Sequence, residues 1–111
     1  YDQHNINSLH VSLENMIMLQ NTCKVHGIKF YQQYYMDHTY KDIEAVKDHP
    51  NLAYLYKQLD QTQRVKPAIH EYVKPFGLTI SEEDVHPNAE GHQKYFADVL
   101  KPFLEEKNFF D

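Results

Sequence analysis

The stretch SLENMIMLQNTCKVHGIKFYQQYYM, residues 12–36, decides the predicted fold, because its hydrophobic pattern changes from helical to extended at a glycine. Its first part continues a stripe that begins at Leu9, with apolar residues four, seven, eight and fourteen positions further on, the spacing of an amphipathic helix. Gly27 stands where a left-handed residue ends a helix. The aromatic run Ile28–Met36 is typical of a strand. Helix, glycine and strand together predict half of an α/β unit.

Short helical patterns fill most of the remaining chain. Ser8 is predicted to cap the first helix and Asn88 the last one, which Pro102 should kink or weaken in its second half. One strand among several helices does not complete a sheet, which needs several strands. Residues 1–111 are therefore expected to form a single incomplete domain, whose missing strands come from an upstream segment or a second chain. The start at Tyr1 rather than Met favours the same interpretation.

Composition excludes several classes of function. The net charge of -5 and the single arginine argue against a nucleic-acid partner, because phosphate contacts need clustered basic residues. No apolar run approaches the roughly 20 residues of a membrane span. The only cysteine, Cys23, excludes an internal disulfide and lies on the apolar stripe of the first helix. Nothing in these numbers assigns a compartment.

The stretch DVHPNAEGHQKYF, which runs from Asp84 to Phe96, carries the residues of chemical interest. Pro87 fixes its own φ and favours an extended conformation at His86, so that the imidazole projects from the N-terminal edge of the following helix. An acidic residue two or three positions earlier, Asp84 or Glu83, can fold back and bind one ring nitrogen. The other nitrogen is then free to act as a general base.

This stretch resembles the last motif block of the SGNH (GDSL-type) hydrolases, which commonly has Asp-x-x-His-Pro, then Gly-His and an amphipathic helix. Here Glu83–Pro87 is followed by Gly91 and His92. The long helix and the strand upstream stand in a similar order. The resemblance implies an α/β fold: the C-terminal part of a three-layer α/β/α sandwich, helix-rich in this chain and with one or two strands.

The resemblance also implies a reaction, the hydrolysis of esters, including acetyl esters of carbohydrates and lipid or thioester acyl groups. His86 would be the general base that deprotonates a serine. Glu83 occupies the family's acid position, where Asp is usual, and is slightly favoured over Asp84 as the acid that orients the ring. The family's nucleophile and oxyanion blocks are absent here, so the serine is expected outside this chain, which alone would be inactive. No cofactor is implied.

A second class of function stays open. The alternative to the esterase is a non-catalytic structural or carbohydrate-binding domain that keeps the SGNH-like fold and the histidine loop but has lost triad residues. A metal site is not predicted, because His86 and His92, six positions apart, do not share a helical face and no third ligand is evident.

Other polar and aromatic residues are given ordinary roles. Four tyrosines are expected to serve packing or to line a cleft at the predicted strand's C-terminal end: Tyr31, Tyr34, Tyr35 and Tyr40. The remaining histidines are predicted to be solvated polar positions: His4, His10, His26, His38, His49 and His70.

Overall fold

The structure is a computed structural model that describes residues 3–45 and 47–110. The chain is mostly helical, with 59% of residues in helices, 4% extended and no sheet among the described residues. The extended residues form two isolated bridges, Gln32 with Arg64 and Thr79 with Pro87. The prediction of an α/β/α sandwich with one or two strands is therefore wrong.

The predicted strand Ile28–Met36 shows why. A high β-propensity is realised only where a partner strand pairs with the segment. Only Gln32 of this run forms a bridge. The carbonyl groups of Gln32 and Tyr35 instead accept hydrogen bonds from the amides of Val65 (2.7 Å) and His70 (3.0 Å). The run is thus a connector bonded to the segment that leads into a short helix.

The described residues fall into two compact units, one of residues 3–31 and 40–63 and the other of 32–39 and 64–110. The single domain expected for residues 1–111 stays a prediction. In chain order, the helical elements are α1 Gln3–Val25, α2 Asp37–Ala45, α3 Ala53–Tyr56, a 3-10 turn Gln61–Gln63, α4 Ile69–Val73, a 3-10 turn Lys74–Phe76, α5 Ala89–Tyr95, a π-helical turn Phe96–Leu100 and α6 Lys101–Glu106.

The first unit is organised around α1. One face of this helix is buried, and leucines from the region of α3 are buried with it; the apolar core residues are Ile6, Leu13, Ile17, Ile43, Leu52, Leu55 and Leu59. The expected helical stripe is confirmed at Leu13 and Ile17, whereas Cys23 is only partly buried. No described helix, α1 with its 23 residues included, is both long and apolar enough to cross a bilayer.

The two ends predicted for α1 have different outcomes. Gly27 adopts a left-handed φ of 68°, and the amide of Ile28 donates to the Cys23 carbonyl at 2.7 Å, which is the long bond of a Schellman ending. The predicted glycine stop is confirmed. Ser8, by contrast, lies inside the helix, which already includes Gln3. The predicted cap at Ser8 is therefore wrong.

The second unit has its core between α4 and the C-terminal helices. Val65, Ile69, Val73 and Tyr95 form its buried cluster, with Leu78, Val99 and other residues packed against it. The Tyr95 hydroxyl, although buried, donates to a backbone carbonyl, that of Pro67, at 2.7 Å. Through Tyr95, its last residue, α5 is anchored in this cluster, and α5 is the helix that follows the histidine loop.

Pro102 does not end the last helix. A proline inside a helix lacks an amide proton, and its ring clashes with the carbonyl four residues earlier. The chain widens into a π-helical turn over Phe96–Leu100 before α6 begins, and Pro102 occupies the first turn of α6. Proline is tolerated in a first turn, so the wider turn accommodates it and the helical path continues.

Candidate functional site

His86 lies on a loop that the backbone closes tightly. The amide of Ile80 donates to the His86 carbonyl at 2.9 Å, and the amide of Asn88 donates to the Leu78 carbonyl at 3.0 Å. These bonds run in opposite directions across the loop, so residues 78–88 leave the core and return to it beside the start of α5. The position of His86 is therefore determined by the backbone on both arms of the loop.

Asn88 and Gly91 fasten this loop to α5. The Asn88 Oδ1 accepts the Gly91 amide at 2.8 Å, which confirms the predicted N-cap, and its Nδ2 donates to the Thr79 carbonyl at 3.2 Å. Gly91 is buried, and a Cβ there would lie 2.6 Å from the carbonyl oxygen of Leu78. Only glycine allows the helix to come this close to the loop backbone.

Asp84 binds His86 twice. Its Oδ1 lies 2.5 Å from the ring Nδ1 and accepts the backbone amide of His86 at 3.1 Å, the bond of an Asx-turn. The ring bond first, and the amide bond second, hold the pKa of Asp84 below its ordinary value of 3.8. Ionised at neutral pH, this carboxylate can only accept. Nδ1 of the neutral imidazole therefore donates, and the lone pair is on Nε2.

The other ring nitrogen faces outward. The side chain of His86 is 70% exposed, and its Nε2 forms no hydrogen bond with any residue that the structure describes. A neutral imidazole with its proton fixed on Nδ1 and a free Nε2 is the form that a general base requires. Nε2 of His86 can therefore accept a proton from a hydroxyl group that approaches it, and the side chain is accessible to solvent.

The acid that contacts the ring is Asp84 and not the slightly favoured Glu83. The family spacing places the acid three positions before the histidine, whereas the observed bond comes from two positions before it. The Asx-turn accounts for the difference, because it turns the Asp84 carboxylate toward both the amide and the ring of His86. Glu83 is exposed on the same loop. The catalytic roles of all three residues stay predictions.

Two residues that are distant from His86 in sequence, Tyr35 and His70, lie near it in the structure. The ring of Tyr35 lies against the imidazole with centroids 5.6 Å apart, and it stacks on the ring of His70 at 5.9 Å and 28°. His70 is only 5% exposed, so the prediction that it is a solvated position is wrong. No spacing along the chain links these residues, which is why the sequence pattern does not reveal them.

Apart from His70, which is linked to it through Tyr35, the histidines whose side chains the structure describes make no contact with His86. His10 binds Glu14 and Tyr54 in the first unit. His92 is exposed on α5, and the side chains of His4 and His38 lie outside the described part. Among the residues that the structure describes, no group of three or more His, Cys, Asp or Glu side chains is arranged to hold a metal ion.

The first unit has a separate cleft of about 430 Å³. Carboxamides and two aromatic rings line its polar side: Gln3, Asn7, His10, Asn51 and Tyr54. Tyr54 is 53% exposed. Amide groups and a partly exposed tyrosine are suited to a polar, uncharged ligand, because they supply donors, acceptors and an apolar face.

Comparisons of the chain with protein-family models, with curated proteins and with solved structures find no match. A function for the chain therefore has to be inferred from its residues and their geometry.

Proposed function

We propose that this chain supplies the general-base half of a serine-esterase site of the SGNH type, with His86 as the base and Asp84 as the acid that orients it. The observation that carries the proposal is the 2.5 Å contact between His86 Nδ1 and Asp84 Oδ1, together with an Nε2 that has no described partner. The serine and the oxyanion donors come from a segment outside residues 1–111.

The proton transfers follow from the tautomer. Nε2 accepts the hydroxyl proton of the serine as its oxygen attacks the ester carbonyl, and then returns that proton to the leaving alcohol. Between these steps the ring is an imidazolium beside Asp84, and their opposite charges stabilise it. The low pKa of Asp84 keeps the carboxylate ionised throughout. Asp84 therefore orients and stabilises the ring without taking its proton.

The charge around the site favours neutral esters as substrates. Three acidic residues, Glu82, Glu83 and Asp84, precede His86 on the same loop, and the first two are exposed. A negative local potential repels carboxylate or phosphate groups on a substrate. Acetylated carbohydrates, one of the ester classes that the resemblance implies, carry no such charge. They are the substrate class that we propose for the first assays.

Binding without catalysis is the second candidate function, and the cleft lined by Asn7, Asn51 and Tyr54 favours it. Its carboxamides match the hydroxyl groups of a neutral saccharide. NMR titration with neutral oligosaccharides tests this candidate through shifts of the Asn7 and Asn51 side-chain amides. Saturable shifts in a His86→Ala variant would assign binding to the cleft and not to the proposed ester site. An absence of shifts at millimolar sugar would reject the candidate.

The first experiment tests whether the protein that contains this chain has an activated serine. Protein purified from its natural source is treated with a fluorophosphonate probe, which labels activated serines, and its intact mass is measured. The proposal expects a mass above 13.2 kDa that increases by one probe adduct. A 13.2 kDa protein without an adduct, and without acetate release from O-acetylated xylan oligomers, would contradict the proposal.

Variants of that protein assign the base. His86→Ala should lower kcat for acetate release by about 10²–10⁴-fold, the contribution of a positioned general base. His26→Ala, at an exposed histidine outside both the proposed site and the cleft, is the control and should leave kcat unchanged. Activated nitrophenyl esters are unsuitable, because free imidazoles attack them directly. Full activity of the His86→Ala variant would overturn the assignment.

A further inference from the structure

We infer that Tyr35 is a positioning residue, whose ring holds the His86 imidazole where Asp84 can bind Nδ1. The catalytic meaning of this inference rests on the proposed function. Its structural basis is a row of three rings, His70, Tyr35 and His86, which begins in the buried part of the second unit and ends at the exposed base.

The row is fixed at its buried end. His70 is 5% exposed and lies on α4 beside Ile69, a residue of the core cluster. Its amide donates to the Tyr35 carbonyl at 3.0 Å, while its ring stacks on the Tyr35 ring. The buried Nε2 of His70 has no described hydrogen-bond partner, and its Nδ1 makes only a long contact of 3.5 Å with Glu71 Oε1, so packing does most to hold that ring. Both the backbone and the ring of Tyr35 are thus attached to the core.

Tyr35 in turn restrains His86. Its ring packs beside the imidazole, with centroids 5.6 Å apart and an interplanar angle of 41°, within the distance range in which aromatic pairs attract. Its hydroxyl lies 3.5 Å from the carbonyl of Val85, the residue between Asp84 and His86. A donor–acceptor distance of 3.5 Å is long for a hydrogen bond. The ring, and not the hydroxyl, should therefore do most of the positioning.

Titratable groups near the His86 imidazole come from its own loop, from the connector and from α4. Asp84 is on the same loop, and Tyr35 comes from the connector. His70 and the neighbouring Glu71, 3.5 Å apart, lie on α4, with His70 stacked on Tyr35. A Tyr35 variant leaves Asp84, His70 and Glu71 chemically intact, although it removes the ring that stacks on His70. A change at His86 in that variant therefore reports on the ring of Tyr35.

The tautomer of His86 tests the inference. Side-chain ¹⁵N NMR of the chain, with His86 assigned through His86→Asn, shows above the histidine pKa which nitrogen carries the proton. Wild type and Tyr35→Phe should both show the proton on Nδ1. Tyr35→Leu should lower the Nδ1–H population by at least twofold, because the unrestrained ring turns away from Asp84. Tyr54→Leu, at the exposed tyrosine beside His10, is the matched control and should leave His86 unchanged.

The outcomes separate the two proposals. A wild-type His86 protonated mainly on Nε2 would contradict the proposed function itself. A wild-type Nδ1–H form that persists fully in Tyr35→Leu would leave the proposed function standing and overturn the positioning role. Tyr35 is 40% exposed, so the variant should fold. If its spectrum shows an unfolded chain, Tyr35→Met, which keeps bulk without a ring, takes its place and is judged by the same criterion.

Discussion

His10 and His86 each bind a carboxylate through Nδ1, yet of these two exposed or partly exposed histidines only His86 has a nitrogen left for chemistry. His10 lies 2.7 Å from Glu14 through Nδ1, and its Nε2 lies 3.1 Å from the Tyr54 hydroxyl. His86 lies 2.5 Å from Asp84 through Nδ1, and its Nε2 has no partner among the described residues. The comparison shows that a histidine–carboxylate contact by itself does not define a base.

The two carboxylates also arrive by different routes. Glu14 is four residues from His10 on α1, a neighbour on the same helical face, and an exposed pair at this spacing contributes about 0.3–0.5 kcal/mol to helix stability. Asp84 reaches His86 across a turn, and the loop that makes this turn has to be held by other residues. The helical pair is sufficiently explained by stability, whereas the loop pair presents a nitrogen outward.

The largest expected effect concerns the backbone beneath His86. Gly91→Ala places a Cβ 2.6 Å from the Leu78 carbonyl oxygen, so the loop or α5 has to shift. We expect a loss of about 1–3 kcal/mol in the free energy of unfolding, larger than the gain of up to about 1 kcal/mol from helix propensity. Urea denaturation measures the difference. Asn15→Ala, exposed on α1, is the control and should stabilise by a few tenths of a kcal/mol at most; equal stability of Gly91→Ala and wild type would refute the close approach.

The next largest effect on stability is expected at Asn88, the N-cap of α5, in comparison with Ser8 on α1. Asn88→Ala removes the bond to the Gly91 amide and the bond to Thr79, and should cost about 0.5–2 kcal/mol. Ser8→Ala should cost nothing, because Ser8 lies inside α1 and not at its start. The midpoints of urea or thermal unfolding measure both variants. A loss at Ser8 as large as that at Asn88 would restore the cap that the sequence predicted.

Signals within a few residues of each other were sufficient for part of this fold. Asn88 three positions before Gly91, and Gly27 after a helical stripe, specify their conformations through local hydrogen bonds. The sequence also limits the acid of the site to Glu83 or Asp84, because both are close enough along the chain to reach the His86 ring. The choice between them depends on a single Asx-turn, a geometry that spacing along the chain does not distinguish.

The features that the sequence did not reveal depend on distant residues. Ile28–Met36 has the composition of a strand, but a strand exists only if another pairs with it, and that pairing is decided elsewhere in the chain. His70 is buried on α4 together with Ile69 and Val73, and the ring of the distant Tyr35 stacks on it. The contact of Tyr35 with His86 spans fifty-one positions. Such contacts carry no periodic signal.

Chemical modification measures the free nitrogen directly. Diethyl pyrocarbonate acylates unprotonated imidazole nitrogens, and peptide mapping by mass spectrometry gives a rate for each histidine. His86, with a free Nε2, should react about 3–10-fold faster than His10, whose Nε2 has to leave the Tyr54 hydroxyl, a bond of about 0.5–1.5 kcal/mol. Tyr54→Phe should narrow this gap. Equal rates at the two residues in wild type would mean that the hydrogen bond does not distinguish them.

The smallest expected effect is in the titration of Asp84. Its folded pKa lies below the ordinary value of 3.8, chiefly because the His86 ring donates to it. The bonded carboxylate therefore stabilises the fold above pH 3.8, and this contribution disappears as the pH falls through the lower folded pKa.

His86→Leu tests the cause of this shift by removing the ring bond but keeping the amide bond. The Asp84 midpoint, followed by carboxyl ¹³C NMR, should therefore move up toward 3.8 without reaching it. His10→Leu, the control, should not move it. An Asp84 midpoint unchanged in His86→Leu would show that the turn, and not the imidazole, holds the charge. Asp84 would then have the structural role of stabilising the loop, just as Glu14 has the structural role of stabilising its helix.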